Sequence, residues 1–117
     1  MIWTLTQVAL GGALGSVLRY LTLSWVGAPM STLGVNVVGS FVMGVLFVAL
    51  SGRTHLSPLL MIGILGGFTT FSAFSLDAWK LWQAGQSGGA VAYIAASVGL
   101  SLIAVALGAT LTERVLA

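Results

Sequence analysis

Six full charges on 117 side chains, Arg19, Arg53, Lys80 and Arg114 against Asp77 and Glu113, leave this chain almost nothing with which to face water. Soluble domains carry about a quarter of their residues as Asp, Glu, Lys or Arg. Here the share is 5%, and 58% of the residues are hydrophobic. Most side chains must therefore be solvated by hydrocarbon. Backbone polar groups in that medium have to be satisfied within the chain, and long unbroken apolar runs do this as helices.

Such runs cover residues 3–26, 32–50, 58–84 and 89–112, each close to or above the roughly 20 helical residues that cross a bilayer core. The chain reads as an all-α membrane protein of four transmembrane helices in one domain, 1–117. The connectors 27–31, 51–57 and 85–88 hold Gly, Pro, Ser and charge, and allow only tight returns between antiparallel neighbours. The first run lacks a positive n-region and is too long for a cleaved signal, so it is expected to be a permanent span. Trp3, Trp25, Trp79, Trp82 and Tyr93 fall near run ends, where amphipathic rings favour the headgroup region.

With four spans, Arg53 and Arg114 lie on one side of the membrane and Arg19 and Lys80 on the other. An excess of Lys and Arg in cytoplasmic loops orients a membrane protein, and two against two gives no excess. Dual topology is expected, with two copies in opposite orientation forming an antiparallel homodimer. Gly11 and Gly15, Ser40 and Gly44, and Gly63 and Gly67 each have the small-xxx-small spacing that lets helix backbones approach closely.

The third run carries Gly66-Gly67-Phe68-Thr69-Thr70-Phe71-Ser72 at its middle. Paired glycine followed by residues that prefer caps is poor helix sequence, and predicts a helix broken at its middle with a second half starting near Thr70. Irregular backbone at that depth is tolerated where protein or a water-filled cavity satisfies it, so the break implies a site. Freed carbonyls there suit a cation, and the positive end of the second half-helix suits an anion. Asn36, mid-span in an otherwise apolar helix, must face an interior, as interhelical glue or as a donor to a passing anion. Ser97 and Ser101 lie one turn apart on one face of the fourth run, and Phe71 and Phe74 share a face beyond the break. An amide, hydroxyls and phenyl edges make a wall that donates weakly and carries no full charge, which suits a small, hard anion.

GGALGSVLRY at residues 11–20, TLGVNVVGSF at 32–41 and GGFTTFSAF at 66–74 together resemble the signature motifs of the fluoride channels known as Fluc or CrcB. The resemblance spans all four runs in order. It implies an antiparallel dimer with two fluoride pores and a structural sodium ion on the dimer axis. By position it makes Phe71 and Phe74 the pore phenylalanines and Asn36 a polar pore residue. Ser97 and Ser101 match the fourth-span hydroxyls, and Thr70 and Ser72 match hydroxyls near the path. The carbonyls of Gly66 and Thr69 would hold the sodium ion, and Arg19 matches a vestibule arginine that would concentrate anions. Asp77 falls at an acidic position beyond the path. Ala73, where many members have Thr, and Ser31, where Gly is common, depart from the pattern.

The expected role is passive export of cytoplasmic fluoride, carried across a bacterial inner membrane. A small multidrug exporter of this length needs a carboxylate in its first span, which has none. A proton-coupled fluoride exporter needs a titrating group along its path, and Asp77 and Glu113 stand toward the ends of their runs. A helper subunit would leave Asn36 and the serines without purpose. No cysteine is present, no nucleophile and base are paired, and His55 lies beside Arg53 in a polar loop, which argues against an enzyme. There is no basic patch for nucleic acid. Fluoride, membrane lipid and a second copy of the chain are the expected partners.

Overall fold

The computed structural model describes residues 1–51 and 55–117. Among the described residues every regular element is helical: α1 (Ile2–Val26), α2 (Met30–Ala49), a π-helical segment (Pro58–Leu65) running into a single turn α3 (Gly66–Phe68), then α4 (Phe71–Gln83) and α5 (Ser87–Leu116). Arg53, expected on the same side as Arg114, lies outside the described residues.

Three stretches, Met30–Ala49, Pro58–Gln83 and Ser87–Leu116, are long and apolar enough to cross a membrane. Helix α1 has 25 residues and hence the necessary length, but Thr4, Thr6, Gln7 and Arg19 dilute its apolar character. The longest extent of the fold is 48 Å, close to the thickness of a bilayer with its headgroup layers. Helix α5 extends beyond the run read from the sequence at both ends, and the other boundaries fall within two residues of expectation.

Turn chemistry explains the tight returns. Helix α1 stops at Gly27, whose φ of 81° only glycine adopts without strain and whose N–H bonds the Leu23 carbonyl. Helix α4 closes in a Schellman motif: Gly85, at φ 79°, donates to Trp82 and Gln86 donates to Leu81.

Two helix pairs make the bundle. Helix α1 packs along the π segment and α3, and α2 packs along α5, with α4 also resting on α5. Both seams are built on glycine. A Cβ on Gly15 would lie 2.0 Å from the Ile64 carbonyl oxygen, and one on Gly67 would lie 2.5 Å from that of Gly12. In the second seam Gly44 meets the Val105 carbonyl and Gly108 that of Phe41, each at 2.2 Å. The expected pairs Gly11/Gly15 and Gly63/Gly67 thus face one another, whereas Gly44 finds its counterpart in Gly108. Ser40 lies instead in the groove described below.

The four tryptophans are exposed near helix ends. Tyr93 departs from that expectation, being buried at 5% exposure with its ring 5.5 Å from that of Phe74. Position along a run gives depth but not direction, and α5 turns Tyr93 inward.

Candidate functional site

The break falls at Thr69 and Thr70, whose backbones are extended (φ −91°, ψ 156° and φ −154°, ψ 125°). Asn36 on α2 holds it open. Its Nδ2 donates to the Thr70 carbonyl at 2.9 Å, and the Thr70 N–H donates to its Oδ1 at 2.8 Å. One amide thereby satisfies both backbone groups of an extended residue, as a neighbouring strand would. The Thr70 hydroxyl caps α4 by accepting from the Ala73 N–H at 3.2 Å, and lies 3.2 Å from the Ser72 hydroxyl.

These bonds redirect the donors that a continuous helix would use. The Thr70 N–H goes to Asn36 and no longer to the Gly66 carbonyl, and the Ala73 N–H goes to the Thr70 hydroxyl and no longer to the Thr69 carbonyl. Gly66 and Thr69, the pair that the resemblance assigns to sodium, are among the carbonyls of residues 66–69 that a helix ending here leaves without helical donors. Such oxygens suit a hard monovalent cation. The nearby Leu65 carbonyl is satisfied twice, by the N–H and the hydroxyl of Thr69.

Beside the break an open groove of about 420 Å³ runs between α2, α4 and α5. It brings together Asn36, Thr70, Phe71, Phe74, Ser97 and Ser101. Phe71 is 76% exposed on the flank of this groove while Phe74 is buried, their ring centroids 5.3 Å apart and tilted by 59°. Ser72 and Arg19 are not on the groove wall. Ser72 is exposed and joins only through Thr70, and the Arg19 Nε donates to the Gly67 carbonyl at 3.1 Å, behind the break.

Five hydroxyls on these helices are committed to their own backbone, and Ser97 is not among them. Thr6, Thr22, Ser24, Ser75 and Thr112 all donate to the carbonyl four residues back, the ordinary fate of such a side chain. The Ser97 Oγ is buried and has no partner of hydrogen-bonding geometry among the described residues. Ser97 is thus a groove-lining residue whose hydroxyl is not tied to its own helix.

Asp77 is more central than its sequence position suggests. Its carboxylate is buried, accepting from the Thr32 hydroxyl at 2.6 Å and the Tyr93 hydroxyl at 3.4 Å. Thr32 and Tyr93 were not among the expected site residues. The acidic residue in a run otherwise almost without charge was the available signal, but nothing local points from Asp77 to Thr32, 45 positions away. Gln7 was also missed; its buried amide donates to the His55 carbonyl at 3.1 Å, tying α1 to the second connector.

Comparison with known proteins converges on the resemblance read from the motifs. The family model described as "CrcB-like protein, Camphor Resistance (CrcB)" matches residues 6–109. A protein of Cereibacter sphaeroides named "Fluoride-specific ion channel FluC" is 56% identical, with 92% of this chain and 93% of that protein covered. Proteins of the same name from Ruegeria sp. and Hahella chejuensis are each 50% identical, covering 99% and 96% of both chains respectively. With a family match across the break and the groove, and half its residues shared with such relatives over nearly its full length, the chain belongs to the CrcB-like family.

Proposed function

We propose that this chain is a fluoride channel that conducts passively and exports fluoride from the cytoplasm, working as a homodimer of two oppositely inserted copies with two pores. The observation that carries the anion reading is the groove that brings Asn36, Ser97 and Ser101 together with the two phenyl rings. Its wall offers weak donors without a full charge, so an anion can exchange hydration for contacts and still leave. The name borne by the relatives supports fluoride as that anion.

Four features support the assembly. Helix α1 is of spanning length and packs along the π segment, as a fourth span would. The even division of Lys and Arg supports insertion both ways up. Phe71 and Gly66 are exposed on the single chain at the middle of an apolar stretch, where a second copy would cover the irregular backbone. The freed carbonyls of Gly66 and Thr69, doubled by a two-fold axis, would hold a structural sodium ion there. A bacterial inner membrane is the expected setting. In this reading the Arg19 charge behind the break draws fluoride toward the groove, where it sheds water against Asn36 and Thr70, with Ser72 acting through the Thr70 hydroxyl. The ion then passes the Phe71 and Phe74 edges and follows Ser97 and Ser101 out.

Fluoride efflux from liposomes holding the purified protein tests this directly. With a potassium shunt and no proton gradient, fluoride should leave rapidly while chloride stays. No fluoride flux from well-folded protein would reject the channel. Replacing Phe71 with Ile, which keeps apolar bulk but removes the positive ring edge, should cut fluoride conductance by at least tenfold in single-channel recording, on the order of 1.4 kcal/mol of lost stabilisation; parental conductance would exclude the ring edge from the pathway.

One observation favours a second reading, a proton-coupled fluoride exporter. Asp77 is a buried carboxylate one hydrogen bond from Tyr93, which itself packs on Phe74. Fluoride accumulation against its gradient, driven by a proton gradient alone, would establish coupling and displace the passive channel.

A further inference from the structure

The C-terminal end of the π segment and α3 is a cluster of backbone carbonyls with too few donors. Among its last groups the Gly66 and Thr69 carbonyls lose their helical N–H partners, for the reasons given above. The Gly67 carbonyl between them is different, since it accepts from the Arg19 Nε at 3.1 Å, a contact made across 48 positions of sequence. Arg19 is half-buried, and it lies one turn beyond Gly15 on the α1 face that the glycine seam presses against Ile64 and Phe68. The close seam is what brings the guanidinium to the break.

A cation at a helix C-terminus is favourable because the unpaired carbonyls concentrate negative partial charge there. The neighbourhood offers Arg19 another partner, since it shares a cavity of about 200 Å³ with Asp77 and Lys80 of α4 and with Ser31 and Thr32 of α2. Asp77 is engaged by Thr32 and Tyr93 instead, and the bond described for Arg19 goes to the backbone of the break.

Resting on the reading that Gly66 and Thr69 hold sodium, we infer that Arg19 is a positioning residue for that site: a built-in cation that fixes the broken end through Gly67 and, by its charge, weakens the binding of a metal ion to the adjoining carbonyls. Two positive charges act on one carbonyl cluster. The guanidinium holds the break in shape when the metal is away and limits how tightly the metal binds when it arrives. The same charge that disfavours the metal favours an anion at the neighbouring groove.

The test is thermal unfolding of the purified full-length protein in detergent, titrated with sodium chloride at constant chloride against N-methylglucamine chloride. A ligand that binds only the folded state raises its stability with concentration, so the half-saturating sodium concentration is read from the shift. Arg19→Gln removes the charge and keeps a donor. It should unfold at lower temperature without sodium and reach half-saturation at a sodium concentration on the order of tenfold lower than the parent, as removal of a nearby like charge in a partly desolvated site predicts. Arg19→Lys, with the charge kept, should stay near the parent. Arg19→His provides a second route should the glutamine variant fail to fold. At pH 8 its neutral ring should permit tighter sodium binding than at pH 5.5, beyond any change that the parent, with its own His55, Asp77 and Lys80, shows between the same pH values.

Equal or weaker sodium binding in Arg19→Gln, with the parent responding to sodium, would overturn the inference and leave Arg19 a packing residue. A tightening in Arg19→Lys equal to that in Arg19→Gln would overturn the charge argument. If neither parent nor variants respond to sodium, the sodium reading fails and this inference with it, while fluoride efflux from the same preparations shows whether the channel reading stands.

Discussion

Replacing Asn36 with Leu should abolish fluoride flux and lower stability by roughly 3–5 kcal/mol, because two good hydrogen bonds vanish and two backbone groups of Thr70 are stranded at membrane depth, each stranded group costing about 1–3 kcal/mol. The bonds at stake are the Nδ2 donation to the Thr70 carbonyl and the Thr70 N–H donation to Oδ1. Without them the extended conformation of Thr70 has no partner, and the break should relax toward continuous helix. The Gly66 and Thr69 carbonyls would then recover helical donors and the groove would lose its polar end.

Replacing Asn36 with Asp separates structure from conduction. The carboxylate still accepts from the Thr70 N–H, but its second oxygen faces the Thr70 carbonyl with no hydrogen to offer, and a full negative charge stands in an anion groove. Helical content should survive while fluoride efflux falls at least a hundredfold. Unchanged efflux from folded Asn36→Asp protein would remove Asn36 from the pathway and leave it a purely structural clasp.

Much of this was legible in sequence for a simple reason. The hydrocarbon imposes one requirement, satisfied backbone, and wherever the sequence cannot meet it locally the residues announce a site. Gly66-Gly67 followed by Thr69-Thr70 could not continue a helix, and the chain does break there, with Thr70 as the cap of α4. Asn36 needed partners for its amide, and both ends of it bond the Thr70 backbone. Its partner was hidden, because the bonds run to the backbone of a residue 34 positions away and backbone partners leave no compositional trace. Tyr93 was misplaced because its position suits a headgroup ring equally well, and only the packing of α5 on α2 and α4 turns it toward Asp77. The π-helical turns from Pro58 to Leu65 carried no signal either. They belong to the seam with α1, where Gly11 and Gly63 bring two backbones together.

That seam yields the other large expected effect, in a comparison of two neighbouring glycines. An ideal Cβ on Gly15 would sit 2.0 Å from the Ile64 carbonyl oxygen and 2.8 Å from the Phe68 nitrogen, whereas one on Gly12 meets nothing within 4 Å. Both obstacles at Gly15 are backbone atoms, so no side chain can swing aside and α1 itself must move. Gly12→Ala should therefore be neutral or stabilising by about 0.5–1 kcal/mol, the helix preference of alanine over glycine. Gly15→Ala should destabilise by about 3 kcal/mol or more, at or beyond the upper end of ordinary overpacking. Moving α1 also withdraws Arg19 from Gly67, so fluoride efflux should fall in Gly15→Ala and persist in Gly12→Ala. Unfolding temperature and efflux measured on both variants check the seam, and equal behaviour of the two would mean that α1 does not pack on the π segment through Gly15.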